Sequence, residues 1–253
     1  MARKLAIVAI AVVASWLVAL VVIGVVVGRD QSVRIAARLG ESLQGSASVG
    51  DVDLALVRGR LSIDQLSVRR DDAVGTLALD VPEVRCELAP LGGALVDRGC
   101  SELAVRGVRL AISSLDVLHP RHPQRAPIRT GHVSIADSSV ALALPTIGSV
   151  ELRIERALAG PTVLRTPLSW IFALDALDAT IELPANLSLH LHYAGGMLGA
   201  DGALFGRAPV VVPVELPRPA ADAHAETRAL VELGEDVAER LVAKRAEDWL
   251  RSR

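Results

Sequence analysis

The chain has 253 residues, with 27 basic against 29 acidic side chains for a formal net charge of −2, 51 % hydrophobic residues and 2 % aromatic ones. A slightly acidic chain offers no basic field to nucleic acid, and so few rings leave no stacking platform for bases. Nucleic acid is thereby excluded as a partner, and the length allows one or two domains.

The first element is the apolar run from Leu5 to Val27, LAIVAIAVVASWLVALVVIGVVV, which carries no charge. As a helix its roughly 23 residues would be about 34 Å long, enough to cross a hydrocarbon core. A cleaved signal peptide has an apolar region of only about 7 to 15 residues and ends at a small-x-small site. Here the run is longer and closes in VVVGRD, so residues 1–28 are expected to be a retained, single-pass membrane anchor. Arg3 and Lys4 before it nearly balance Arg29, Arg34 and Arg38 after it, so flanking charge sets orientation weakly.

Residues 29–45 predict a short juxtamembrane helix, with Val33, Ala36, Ala37 and Leu43 at helical spacing and Gly45 as its stop. From 46 to 217 the period is two, the mark of β-strands. The apolar positions nevertheless change parity within each strand unit. Leu61 and Ile63 give way to Leu66 and Val68; Leu77, Leu79 and Val81 to Val84, Cys86 and Leu88; Leu103 and Val105 to Val108, Leu110 and Ile112. Val133 and Ile135 yield likewise to Val140 and Leu142, and Leu174 to Leu177, Ala179 and Ile181. A slip of one residue sends every later side chain to the other face unless a bulge or bend restores it. Two readings follow: ordinary bulges and turns of a β-sandwich, or a bent antiparallel sheet that keeps its apolar side chains on one concave face.

Within this body the proline-rich stretch near 118–131, LHPRHPQRAPIRTG, predicts a linker, because prolines break both helix and central strand. APLGGALVDRG is expected to hold a single helical turn, and RTPLSWIF a short turn capped by Thr166 with Pro167 at its first position. LSLHLHYAGGMLGADGAL reads as a hairpin turning at Gly195 and Gly196, and PVVVPVELP as a last strand. Residues 218–253 predict an amphipathic helix with Leu230, Leu233, Val237, Leu241 and Trp249 on its apolar stripe. The fold class is therefore mainly β with helices at either side. Helical cover is scarce for so much sheet, which leaves a sandwich, a closed barrel, or an open taco-like trough filled by something apolar.

No enzyme signature emerges, and no cofactor or metal is expected. His190 and His192 share one face of a strand, but nothing nearby in sequence supplies a third ligand, and that face is the polar one. His119 and His122 fall in the linker, and Asp71 and Asp72 read as a turn. GGMLGADG lacks the lysine of a phosphate loop. Cys86 and Cys100 admit two readings, a disulfide in an oxidising compartment or two thiols, with Cys86 in the apolar parity of its strand.

The apolar anchor, the helix IAARLGESLQGS, and the units VGDVDLALVRGRLSIDQLSV, GTLALDVPEVRCEL and ELAVRGVRLAI together resemble the opening of AsmA-like envelope proteins, a branch of the bridge-like lipid-transfer group. The resemblance covers roughly Leu5 to Ile112. It implies a bacterial inner-membrane anchor, a periplasmic body of curved β-sheet, and an apolar groove along which lipid or phospholipid chains move in envelope biogenesis, with no catalytic residues.

The residues expected to line such a groove are Leu61, Ile63, Leu66, Val68, Leu77, Leu79, Val84, Leu110 and Ile112, together with Leu189 and Leu191. The rival expectation is an anchored, non-enzymatic assembly protein with a dry core, whose C-terminal helix recruits an envelope protein partner.

Overall fold

The computed structural model describes residues 32–41, 45–73, 75–89, 99–114, 128–144, 148–164, 168–202, 206–219 and 223–251. The anchor expected at 1–28, the helical turn expected near 90–98, most of the proline linker and the Thr166-Pro167 start lie outside these residues. Among the described residues no helix is long and apolar enough to cross a membrane. Residues 32–41 form a helix, α1, within the span expected for the juxtamembrane segment.

The body is a large curved sheet of thirteen strands. The first half contains β1 (Ser46–Ser48), β2 (Val52–Ala55), β3 (Arg60–Asp72), β4 (Gly75–Glu87), β5 (Cys100–Arg106), β6 (Arg109–Ile112) and β7 (Ile128–Leu144). It continues with β8 (Gly148–Ala159), β9 (Thr162–Leu164), β10 (Leu174–Leu183), β11 (Leu187–Ala194), β12 (Met197–Gly202) and β13 (Gly206–Pro213). Three short strands prolong a neighbour instead of adding to the width: β2 shares β3 with β1, β6 lies between β4 and β7 as β5 does, and β9 shares β7 with β8. The sheet is thus ten ranks wide.

The expected purely antiparallel sheet is corrected at one seam. β5 and β6 both run parallel to β7, whereas every other pairing is antiparallel. A parallel neighbour cannot be reached by a hairpin and needs a crossover the length of the strand. β6 ends at Ile112 and its parallel neighbour β7 begins at Ile128. The linker expected through Gly131 ends earlier, since β7 begins at Ile128.

Four of the five parity slips have one geometrical origin, and the fifth, between Leu174 and Leu177, falls at a separate register shift of β10 against β8, between Leu174 and Ala176. Gln65 in β3, Gly107 between β5 and β6, and Asp137 in β7 all have left-handed backbones, with φ of +56°, +71° and +51°. Strand register puts them on one line. Asp64 pairs with Glu83 and Leu66 with Val81, so Gln65 faces Pro82. Glu83 pairs with Arg106 and Asp80 with Arg109, so Pro82 faces Gly107. Gly107 in turn faces Asp137, which faces Glu155, the residue at a register shift between β8 and β10. A crease therefore crosses the sheet from the gap between β1 and β2 as far as β8. Each strand absorbs one residue on the same line, so partners stay matched and the apolar face is continuous through the bend.

Broken ladder bonds along the crease are repaired locally. The Val108 N–H donates to Ser138 Oγ at 3.2 Å, and that hydroxyl donates to the Ala136 carbonyl at 2.8 Å. Gly107 N–H donates to the same carbonyl at 3.0 Å. Ser138 is a buried polar side chain on the apolar face, and this pair of hydrogen bonds is what allows a hydroxyl there.

Two helices and a 3-10 turn pack on that face. α2 (Ala223–Arg251) and the turn Ser169–Ala173 sit over a core of Tyr193, Leu198, Ala200, Val210, Val212 and neighbours, joined by Leu233, Val237 and Leu241 of the helix. At the other side of the sheet Leu39 of α1 packs on Val68, Leu77 and Ile112. The first turn of α2 is fixed by a buried hydrogen bond, Ser169 Oγ to Glu226 Oε2 at 2.6 Å. Cys86 and Cys100 are joined by a disulfide that ties β4 to the start of β5. The expected place of Trp249 on the docked stripe is corrected: eight residues beyond Leu241 it has rotated away from the sheet and is half exposed.

Candidate functional site

The candidate site is the apolar face itself. Its side chains form transverse rows that register fixes strand by strand. One row runs Val52, Ile63, Val84, Val105, Ile135, Ala157, Leu177, Tyr193, Leu198, Val212 across all ten ranks. On the far side of the crease a second runs Val68, Leu79, Leu110, Val140, Leu152, Ile181, Leu189. At roughly 4.8 Å per strand the longer row spans about 43 Å. The matching row on the opposite face is Asp80, Arg109, Ser139, Arg153, Thr180, His190, Asp201. The face that carries these two rows is thus mainly aliphatic, with Ser138 and Arg70 as buried polar members, and the opposite row is polar and ionic.

All eleven residues expected to line a groove lie on the apolar face, because the crease restores the parity that the sequence loses. Their surroundings differ. Val68, Leu77 and Ile112 are buried beneath α1. Leu61, Ile63, Leu66, Leu79, Val84 and Leu110 keep part of their surface open, as do Leu189 and Leu191 next to the α2 core. The described helices therefore cover part of the face, and partly open aliphatic side chains run from β3 and β4 through Val105, Ile135, Val140 and Leu152.

Arg70 is the residue that the sequence reading missed. It follows Leu66 and Val68 in parity, so it too points to the apolar face, where only 5 % of it is exposed. Its Nε and Nη2 both donate to Asp72 Oδ2, at 2.8 and 2.7 Å. Counting on by two from Val68 would have found it. A buried arginine with a carboxylate beside it closes the row of Leu77 and Ile112 at the α1 end.

The histidine pair stands on the ionic face. His190 Nδ1 is 3.0 Å from Thr180 Oγ1, which donates to Glu155 Oε1 at 2.9 Å, and His192 Nδ1 meets Asp178 Oδ1 at 2.5 Å. These are direct cross-strand pairs, Thr180 with His190 and Asp178 with His192. Among the described residues no three His, Cys, Asp or Glu side chains are grouped to hold a metal ion. A depression of about 560 Å³ near the α1 end is floored by Ala78, Ala111, Ala141 and Ala143, with Arg69 and Asp71 at its side. Arg69 there is committed to Asp80 through both carboxylate oxygens, at 2.8 and 2.7 Å.

No family model matches the chain, and no curated protein matches it.

Proposed function

We propose that the protein is a lipid carrier of the bacterial envelope: anchored in the inner membrane by residues 5–27, with its sheet in the periplasm shielding the acyl chains of a lipid or phospholipid. The observation that carries this reading is the band of partly open Leu, Ile and Val side chains that continues across the crease. Moving an acyl chain from bilayer to water costs about 0.8 kcal/mol per methylene, or roughly 11 kcal/mol for fourteen of them. A protein lowers that cost only with an unbroken apolar lining of comparable length. The longer row is continuous over about 43 Å, and its partly open stretch from Ile63 through Val84 and Val105 to Ile135 spans about 14 Å, the end at Tyr193, Leu198 and Val212 being covered by α2. The disulfide fits an oxidising compartment outside the cytoplasm. The resemblance of residues 5–112 to AsmA-like proteins points the same way.

Site-specific photocrosslinking in intact cells tests the proposal through the parity of the strands. A photoreactive residue at Ile63, Leu66, Leu79 or Leu110 should yield lipid adducts, and the neighbouring positions Ser62, Ala78 and Ala111 should not. Adducts at neither set, in a protein that is folded and membrane-associated, would replace the carrier with a dry scaffold.

A further inference from the structure

Two imidazoles on the ionic face have one nitrogen committed and the other open. Thr180 Oγ1 has a single proton and gives it to Glu155 Oε1 at 2.9 Å, so toward His190 it can only accept, and the 3.0 Å contact is a donation from His190 Nδ1–H. A carboxylate likewise only accepts, so His192 Nδ1–H donates to Asp178 Oδ1 at 2.5 Å. In a neutral imidazole whose Nδ1 carries the proton, Nε2 keeps its lone pair. Among the described residues neither Nε2 has a hydrogen-bond partner, and both side chains are exposed. A histidine that binds a metal through one nitrogen ordinarily donates its other N–H to a fixed acceptor, often a carboxylate, which sets the tautomer and raises the basicity of the ligating nitrogen. His192 has that carboxylate directly, and His190 has one behind Thr180.

We infer that His190 and His192 form a two-imidazole site for a late first-row divalent ion, with Cu²⁺ the tightest. Imidazole suits copper, nickel and zinc, and among these affinity is highest for Cu²⁺. The two residues stand two strand positions apart on β11, about 6.7 Å at the backbone. Their exposed rings reach one ion, at about 2.0–2.1 Å from each Nε2, by tilting toward each other. They border a depression of about 210 Å³ whose other polar lining is Glu155, Asp178, Thr180 and Asp201. Three of those four are carboxylates, and among the described residues no lysine or arginine lines the space with them. Asp201 lies opposite His190 on β12, and Gly199, opposite His192, brings no side chain into the opening. Among the described residues no third ligand is already in place, so the ion keeps water at its remaining positions and exchanges readily, unlike an ion held by a closed four-ligand structural site. The site stands on the face opposite the aliphatic rows, and the inference does not depend on what those rows carry.

The test titrates Cu²⁺ alone into the full chain, held in a nanodisc in a buffer that does not coordinate metal, with calorimetry for affinity and pulsed electron paramagnetic resonance for the ligands. The expected result is one equivalent whose spectrum carries the signature of two imidazoles. It should persist when the other four histidines of the chain are replaced together, as H119Q/H122Q/H132Q/H224Q. H190Q and H192Q should each weaken binding by more than about tenfold, and D178N, which keeps both ligands and removes only the orienting carboxylate, by about tenfold. The altered histidines are exposed, and circular dichroism of the variants should match the parent. Absence of the equivalent, binding that survives both H190Q and H192Q, or a spectrum with a single imidazole overturns the inference. So does D178N at the parent's affinity, because the pair would then bind without the orientation from which the site is inferred.

Discussion

Pro82 stands directly across from Gly107 at the crease, and a Cβ built on that glycine would lie 3.2 Å from the proline Cγ. The two residues divide the work of the bend. Proline has no N–H to leave unpaired where the ladder opens, and glycine takes φ of +71° without steric penalty. Gly107→Ala therefore meets both a left-handed backbone and a ring. It is expected to destabilise the sheet by about 1–3 kcal/mol, read as a lower urea midpoint. Gly234→Ala is the control: it lies in α2 with nothing within 4 Å of a Cβ, and should be neutral or slightly stabilising. Equal midpoints for Gly107→Ala and the parent would mean that the crease tolerates any residue.

Ser138 supplies a hydrogen bond that no backbone group supplies. Ser138→Ala leaves the Val108 N–H without its acceptor at 3.2 Å, a loss expected to be worth about 1–2 kcal/mol in a buried place. Ser139, one residue on, points to the ionic face, so Ser139→Ala should change stability by less than about 0.5 kcal/mol. Amide exchange at Val108 would show the difference locally. If the two alanine variants unfold at the same denaturant concentration, the repair at the crease is carried by something other than the hydroxyl.

The strands and the apolar side of each were legible because a period of two is robust over stretches as short as Leu77 to Val81. The slips were legible as well, but not their alignment. That four of the slips fall on the line of Gln65, Pro82, Gly107 and Asp137 depends on register between residues far apart in sequence. The seam of β5 and β6 with β7 was hidden for a related reason: a proline-rich stretch reads as a break, and nothing local says that the chain returns to the end it left. Arg70 is hard to place from its type alone, because an arginine is ordinarily exposed. The parity of Leu66 and Val68 predicted otherwise, and Asp72, two residues later, is the carboxylate that lets the guanidinium stay.

The disulfide should be worth more than any single hydrogen bond of the crease. Cys86 and Cys100 are 14 residues apart in sequence, and closing a loop of that size restricts the unfolded chain by about 3 kcal/mol. The double variant Cys86→Ala, Cys100→Ala is expected to lose roughly that amount, and the parent in reductant should approach the same midpoint. Cys86 is buried among apolar neighbours, so alanine leaves a small void and no polar group. A parent whose thiols can be labelled after reduction yet whose stability is unaltered would place the link outside the stabilising core.

Tyr193 is the single tyrosine of the chain and lies in the row of Leu177 and Leu198. Burial raises its pKa above the ordinary value, and Asp175 adds to the rise. The unfolded chain therefore releases the phenolic proton first, at about pH 10. Below that value the contribution to stability is fully present. As pH climbs through the interval between the unfolded and folded values, the folded state holds more protons than the unfolded one, and stability falls. Unfolding free energy measured up to high pH should show this decline in the parent and a shallower one in Tyr193→Phe. Phenolate absorbance, unambiguous with one tyrosine, should appear at higher pH in native protein than in urea. A native titration that coincides with the denatured one would mean that water reaches the ring, and that α2 and its apolar partners do not seal that end of the sheet.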